Sequence, residues 1–128
     1  MSAGRLRRIG PEAFDGPRRR SRHNVAVAFL ADWCPFCRAF EPEFAALVPT
    51  PGLEVEVADL TAMDSPLWEQ FHVDVVPTVV LFADGQPVFR ADGIRGEGLG
   101  PETVETVRRL ARGLHDRRGS GPRRAAGR

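Results

Sequence analysis

Between Val25 and Ala31 the chain reads Val-Ala-Val-Ala-Phe-Leu-Ala, and three residues later Cys34 and Cys37 bracket a Pro-Phe pair. No other segment limits the possible folds as tightly. An apolar, β-branched run without polar alternation is a strand buried on both faces, as in a parallel sheet covered by helices. It is far shorter than the ~20 residues that span a bilayer. After it, Cys37, Phe40, Phe44, Leu47 and Val48 recur at helical spacing, and Pro35 suits the first turn of a helix that starts at or just after Cys34. Pro42 falls inside that pattern, where it removes an intrahelical hydrogen bond and is expected to kink the helix.

The rest of the chain reads as an alternation of strands and helices. Leu53, Val55 and Val57 alternate with Glu54 and Glu56, which predicts a strand with one wet face. A short helix follows, capped by Asp64 or Ser65, opened by Pro66 and buried through Leu67, Trp68 and Phe71. Thr78 to Phe82 then forms a strand that Asp84-Gly85 turns into a second one around Val88 to Ala91. Pro101 opens a last helix with Val104, Val107, Leu110 and Leu114 on one face, and Gly113 is expected to cap it. The class is α/β, a mixed sheet of four or five strands flanked by helices. Residues 23–114 form the domain, and a chain of 128 residues leaves no room for a second core. Residues 1–22 read as a flexible basic segment, with an edge strand at Leu6 to Ile9 and one helical turn at Pro11 to Phe14. Residues 115–128 read as a disordered basic tail.

A formal net charge of +1 hides a strong asymmetry. Residues 1–22 hold seven Arg against two acids, and residues 112–128 hold six Arg against one; the stretch between carries five Arg and fourteen acids. Every basic residue is Arg, and Lys and Tyr are absent, which excludes Schiff-base, Walker-type and Tyr acid–base chemistry. No aromatic residue is interleaved with the arginines of either end, so they are read as solubilising rather than nucleic-acid binding. The Arg-rich start is not followed by the apolar run of a secretory signal, so the expected location is cytoplasmic, without a membrane. No dinucleotide glycine fingerprint occurs, and no bound cofactor is expected.

Two cysteines at CxxC spacing in a reducing compartment point to redox or metal chemistry rather than to a structural staple. A zinc site would need two more ligands, and His23, His72 and His115 are scattered without a pairing, so no metal is expected. His72 is read as a surface residue at a helix end. Cys34, at the helix start and the more exposed of the two, is where unpaired N–H groups and the helix dipole favour a thiolate. Cys34 would attack a disulfide and Cys37 would resolve the mixed disulfide.

Asp32-Trp33-Cys34-Pro35-Phe36-Cys37-Arg38 after an apolar strand resembles the active-site segment of thioredoxins. Pro42, eight residues past the first Cys, matches that family's helix proline. Val76-Pro77-Thr78 resembles its cis-proline loop, and Gly85 and Gly93 fall where it has its hairpin and following glycines. The resemblance covers about residues 24–113 and implies a thioredoxin fold and thiol-disulfide oxidoreduction. It also implies Cys34 as nucleophile, Cys37 as resolving thiol, and Trp33, Pro35, Phe36, Val76 and Pro77 around the substrate. Partners would be disulfide-containing proteins, with electrons from a separate reductase or a low-molecular-weight thiol. The chain departs from the pattern in three ways. Pro-Phe replaces Gly-Pro and is similar to the Pro-aromatic pair of glutaredoxins. Ala28 stands where thioredoxins bury an aspartate, with Leu30 where they have an aromatic, so Cys37 is expected to deprotonate through water or another nearby group, with Asp59 the first suspect if mixed-disulfide decay is fast and independent of pH. Arg38 stands near the pair where no lysine is available. Two rival readings follow, a glutaredoxin-like enzyme using glutathione and a non-catalytic adapter module on the same fold.

Overall fold

The computed structural model describes residues 6–126. In chain order the elements are β1 (Arg7–Ile9), a single 3₁₀ turn (Pro11–Ala13), β2 (Phe14–Asp15), β3 (Arg18–Arg19), β4 (Asn24–Leu30), α1 (Pro35–Ala45), β5 (Leu53–Asp59), α2 (Leu67–Gln70), β6 (Thr78–Ala83), β7 (Gln86–Asp92) and α3 (Pro101–Ala126). β1, β5, β4, β6 and β7, in that spatial order, form one five-stranded sheet; β2 and β3 pair separately. β4 is buried along its whole length, parallel to β5 on one side and antiparallel to β6 on the other. The β6–β7 turn has Asp84 and Gly85 both at positive φ, 53° and 84°, as a two-residue hairpin turn requires.

Alternation along β4 separates the two faces of the sheet. Phe29 points to one, where its ring lies 6.1 Å from Phe14 and 5.1 Å from Phe71. Ala28 points to the other and shares it with its register partner Val57, which is also opposite Arg8. Arg8 reaches Glu41 of α1 at 3.3 Å, so α1 covers the Ala28 face. α3 packs beside α1 there, through Val104, Val107 and Ala111.

The N-terminal segment, expected to be loose, is part of the domain. Leu6, Ile9 and Phe14 are buried in the core, and β1 extends the sheet edge along β5. The Arg-rich stretch holds a buried residue as well. Arg19 donates to both carboxylate oxygens of Glu56 at 2.8 and 3.0 Å and to the Ala13 carbonyl at 2.9 Å. Glu56 is 2% exposed, which corrects the expectation that its strand face is wet: β2 and β3 cover that face, and Arg19 supplies the charge a buried carboxylate requires. At the other end, α3 runs through Gly113 to Ala126 instead of stopping there. A glycine in a helix interior costs about 1 kcal/mol and does not by itself terminate the helix. Residues 1–5 and 127–128, which belong to the two basic ends, lie outside the described residues. Among the described residues no helix is long and apolar enough to cross a membrane.

Candidate active site

The cysteines sit where the C-terminal end of β4 feeds the N-terminus of α1. Cys34 is the cap residue of that helix: its sulfur accepts from the Cys37 backbone N–H at 3.4 Å and lies 3.7 Å from the Val76 carbonyl. Cys37, one turn in, accepts the Ala31 N–H at 3.4 Å. Both thiols are free, with Cys34 6% and Cys37 2% exposed, so the expected order of exposure rests on a small difference. Burial pushes the Cys37 thiol up to about 12. The Ala31 N–H works against that shift, while Cys34 and then the Glu41 carboxylate add to it.

The Val76–Pro77 peptide bond is cis, and the Val76 carbonyl lies beside Cys34. Gly93 packs on this loop so closely that a Cβ there would lie 2.6 Å from the Pro77 carbonyl oxygen. Pro77 is therefore held from behind by bare backbone. Trp33 is 50% exposed and stacks nearly parallel on Trp68, with ring centroids 6.3 Å apart and planes 7° apart. Successive carbonyls fix both indoles, Thr61 accepting from Trp33 at 3.0 Å and Ala62 from Trp68 at 3.1 Å. Between this stack and the turn after β7 runs a groove of about 230 Å³ that opens on Cys34.

Of the residues singled out from sequence, Trp33, Cys34, Phe36 and Val76 line the groove. Pro35 is exposed on the first turn of α1, outside the lining, and Pro77 lies behind it. Ala28 is fully buried in β4. Asp59 is engaged by Thr61: its Oδ1 accepts from the Thr61 N–H at 2.9 Å and from the Thr61 hydroxyl at 2.6 Å, and that hydroxyl accepts the Asp32 N–H at 2.9 Å. Through Thr61 these bonds tie the end of β5 to the segment leading into Cys34. Arg38 turns back to the Asp32 carbonyl at 2.8 Å. His72 ends α2 at a positive φ of 50°, exposed, as a helix-end residue. Sequence reasoning missed Trp68, Asp74, Ile94 and Arg95 in the groove wall. For Trp68 the signal was present, because an indole set one residue after a buried Leu67 leaves the helix's buried stripe. Among the described residues no group of three or more His, Cys, Asp or Glu is arranged to hold a metal ion.

Comparisons with known proteins agree with this geometry. Residues 7–102 match the family model for thioredoxin. The chain is 38% identical over 72 residues to a thioredoxin of Chlamydia muridarum, covering 56% of this chain and 70% of that protein. It is 33% identical over 78 residues to a bifunctional thioredoxin reductase/thioredoxin of Mycobacterium leprae, covering 60% of this chain and 17% of that protein. Mitochondrial thioredoxin 3 from Saccharomyces cerevisiae, in its oxidized form, superposes with a TM-score of 0.64 at 22% identity, over 91% of this chain and 99% of that one. The five-stranded mixed sheet is thus a thioredoxin fold, and the chain belongs to the thioredoxin family.

Proposed function

We propose that the protein reduces disulfides in other proteins by dithiol–disulfide exchange. The observation that carries this reading is the placement of the two sulfurs: both are buried, but Cys34 lines the groove beside the Val76 carbonyl, whereas Cys37, one helical turn away, is not part of that lining. The Cys34 sulfur attacks one sulfur of the substrate disulfide. One S–S bond breaks, the first substrate thiolate leaves, and a mixed disulfide forms. Cys37 then loses its proton and attacks the Cys34 sulfur, releasing the second thiolate. Two electrons pass to the substrate, which ends as two thiols, and the pair ends as the Cys34–Cys37 disulfide.

A separate reductase or a small thiol restores the dithiol. The fused reductase of the Mycobacterium leprae relative supports the first source by analogy. Reducing work of this kind belongs in a compartment that keeps thiols reduced, the cytoplasm. Trp33, Phe36 and Val76 form the surface against which the substrate segment rests, with the Pro77 loop behind.

The test is turnover of a disulfide-linked peptide with dithiothreitol as donor, run on the native chain and on Cys34→Ser and Cys37→Ser. The native chain is expected to turn over and Cys34→Ser to fall to background. Cys37→Ser should accumulate a mixed disulfide detectable by mass. A native chain that binds the peptide without reducing it would favour the adapter reading, and turnover that requires glutathione would favour the glutaredoxin-like one.

A further inference from the structure

We infer that Asp74 and Arg95 are specificity-determining residues, and that preferred substrates carry a basic residue on one side of the reactive cysteine and an acidic one on the other. The inference rests on the thiol-disulfide reading above and adds the charge pattern of the substrate to it. Among the side chains lining the groove beside Cys34, two are charged, Asp74 and Arg95, and their signs are opposite. Both are exposed. Among the described residues neither has an ion-pair or hydrogen-bond partner, so each charge is available to a bound chain.

The backbone brings them to the groove from two separate segments. β6 and β7 pair Thr78 with Asp92. Both segments lie beyond that last pair, Asp74 just before the cis Val76–Pro77 bond and Arg95 just after β7, and with Val76 and Cys34 they line the same groove. Arg95 is presented by a closed turn. Ile94 and Gly98 exchange backbone hydrogen bonds at 3.1 and 2.8 Å, and the Glu97 N–H returns to the Ile94 carbonyl at 2.8 Å. Gly98 seats that turn on the aromatic ring between the cysteines, because a Cβ there would meet the Phe36 Cβ at 2.9 Å.

The Asp74 wall continues into a neighbouring depression that also holds Asp64 and Glu69, so the negative side is negative in depth. A peptide laid between apolar walls excludes water, which strengthens its interaction with both charges. Two favourable contacts of the strength of exposed ion pairs give a preference of about three- to tenfold in kcat/KM.

The experiment uses the full chain and disulfide-linked dimers of five peptides, Arg-Gly-Cys-Gly-Glu, Glu-Gly-Cys-Gly-Arg, and the doubly basic, doubly acidic and Gln-flanked versions. Neutral bis(2-hydroxyethyl) disulfide is run beside them. Each rate is divided by the rate with free dithiothreitol, which removes the intrinsic reactivity of the peptide. One of the two dipolar peptides is expected to lead the other four, with the preference fading in high salt. The exchange variant, Asp74→Arg with Arg95→Asp, should transfer the lead to the peptide of opposite polarity. Arg95→Gln alone should erase the advantage over the doubly basic peptide, which keeps the test decisive if the exchange variant folds poorly. A lead for the doubly basic peptide, or the same ranking in native and exchanged chains, overturns the inference. Reduction of the neutral disulfide without any charge preference removes this inference alone; no reduction of anything removes the thiol-disulfide reading with it.

Discussion

On one face of the central sheet Glu56 is buried against the Arg19 guanidinium, and Arg19 is further held by the Ala13 carbonyl. On the other face, one residue along β4 from Glu56's register partner Val27, Ala28 offers only a methyl group beneath the active-site helix. The first face compensates a buried carboxylate in full. The second leaves Cys37 buried without a cation, and its thiol is pushed up accordingly. The difference teaches where the fold tolerates charge. A paired charge is used to hold the N-terminal segment down, while the resolving thiol is kept neutral until a mixed disulfide calls on it.

The largest effect should come from breaking the compensated side. Glu56→Ala strands the Arg19 guanidinium in the interior and is expected to cost about 3–5 kcal/mol in urea unfolding. Replacing both partners, Arg19→Met with Glu56→Leu, should recover most of that loss. A single-variant loss below about 1 kcal/mol would mean that the pair is hydrated after all, because that is the range of exposed pairs.

Adding charge to the uncompensated side comes next. Ala28→Asp should cost about 1–3 kcal/mol, the penalty of a buried polar group without a partner. It should also change the kinetics. In the native chain the decay of the Cys34 mixed disulfide should rise by up to about tenfold per pH unit from about pH 6 to about pH 8, because only the Cys37 thiolate attacks. With the introduced carboxylate as a nearby base that slope should flatten, as rapid-quench measurements would reveal; a flat native profile would show that another base already serves Cys37.

A further effect is at alkaline pH. A thiol raised in the folded state contributes stability that is complete below its unfolded value, near 9, and is lost as pH climbs toward about 12. With no Lys or Tyr in the chain, few other side chains titrate in that window. The stability advantage of the reduced native chain over Cys37→Ala should therefore shrink between those limits. A constant difference would mean that Cys37 is not raised.

How much of this is legible in the sequence depends on whether the signal is local. The buried strand, the cap at Cys34, Pro42 within α1 and the Asp84-Gly85 turn follow from chemistry within a few residues of each other. The departure at Ala28 is legible only against the thioredoxin pattern, which has a buried acid six residues before the first Cys. Arg19 and Glu56 are 37 positions apart, and a charged residue taken alone reads as exposed. Only the folded pairing of β2 with β3, laid over one face of β5, brings them together. Arg95 is hidden for a similar reason: its neighbours in sequence are ordinary turn residues, and its meaning comes from Gly98 settling on Phe36. The length of α3 is hard to read because Gly113 resembles a stop signal, whereas helical continuity is decided by the whole segment.

The Trp33–Trp68 stack has an optical consequence. These are the chain's two tryptophans, and it has no tyrosine, so nearly all of its near-ultraviolet absorption and emission arises from one rim of the groove. One indole is half open to solvent and the other rests against it. Emission from such a pair responds to whatever lies on Trp33 and to the oxidation state of the sulfur one residue away. The molecule carries its own dye at the point where its chemistry happens, and a stopped-flow trace of the unlabelled protein would follow docking and exchange together.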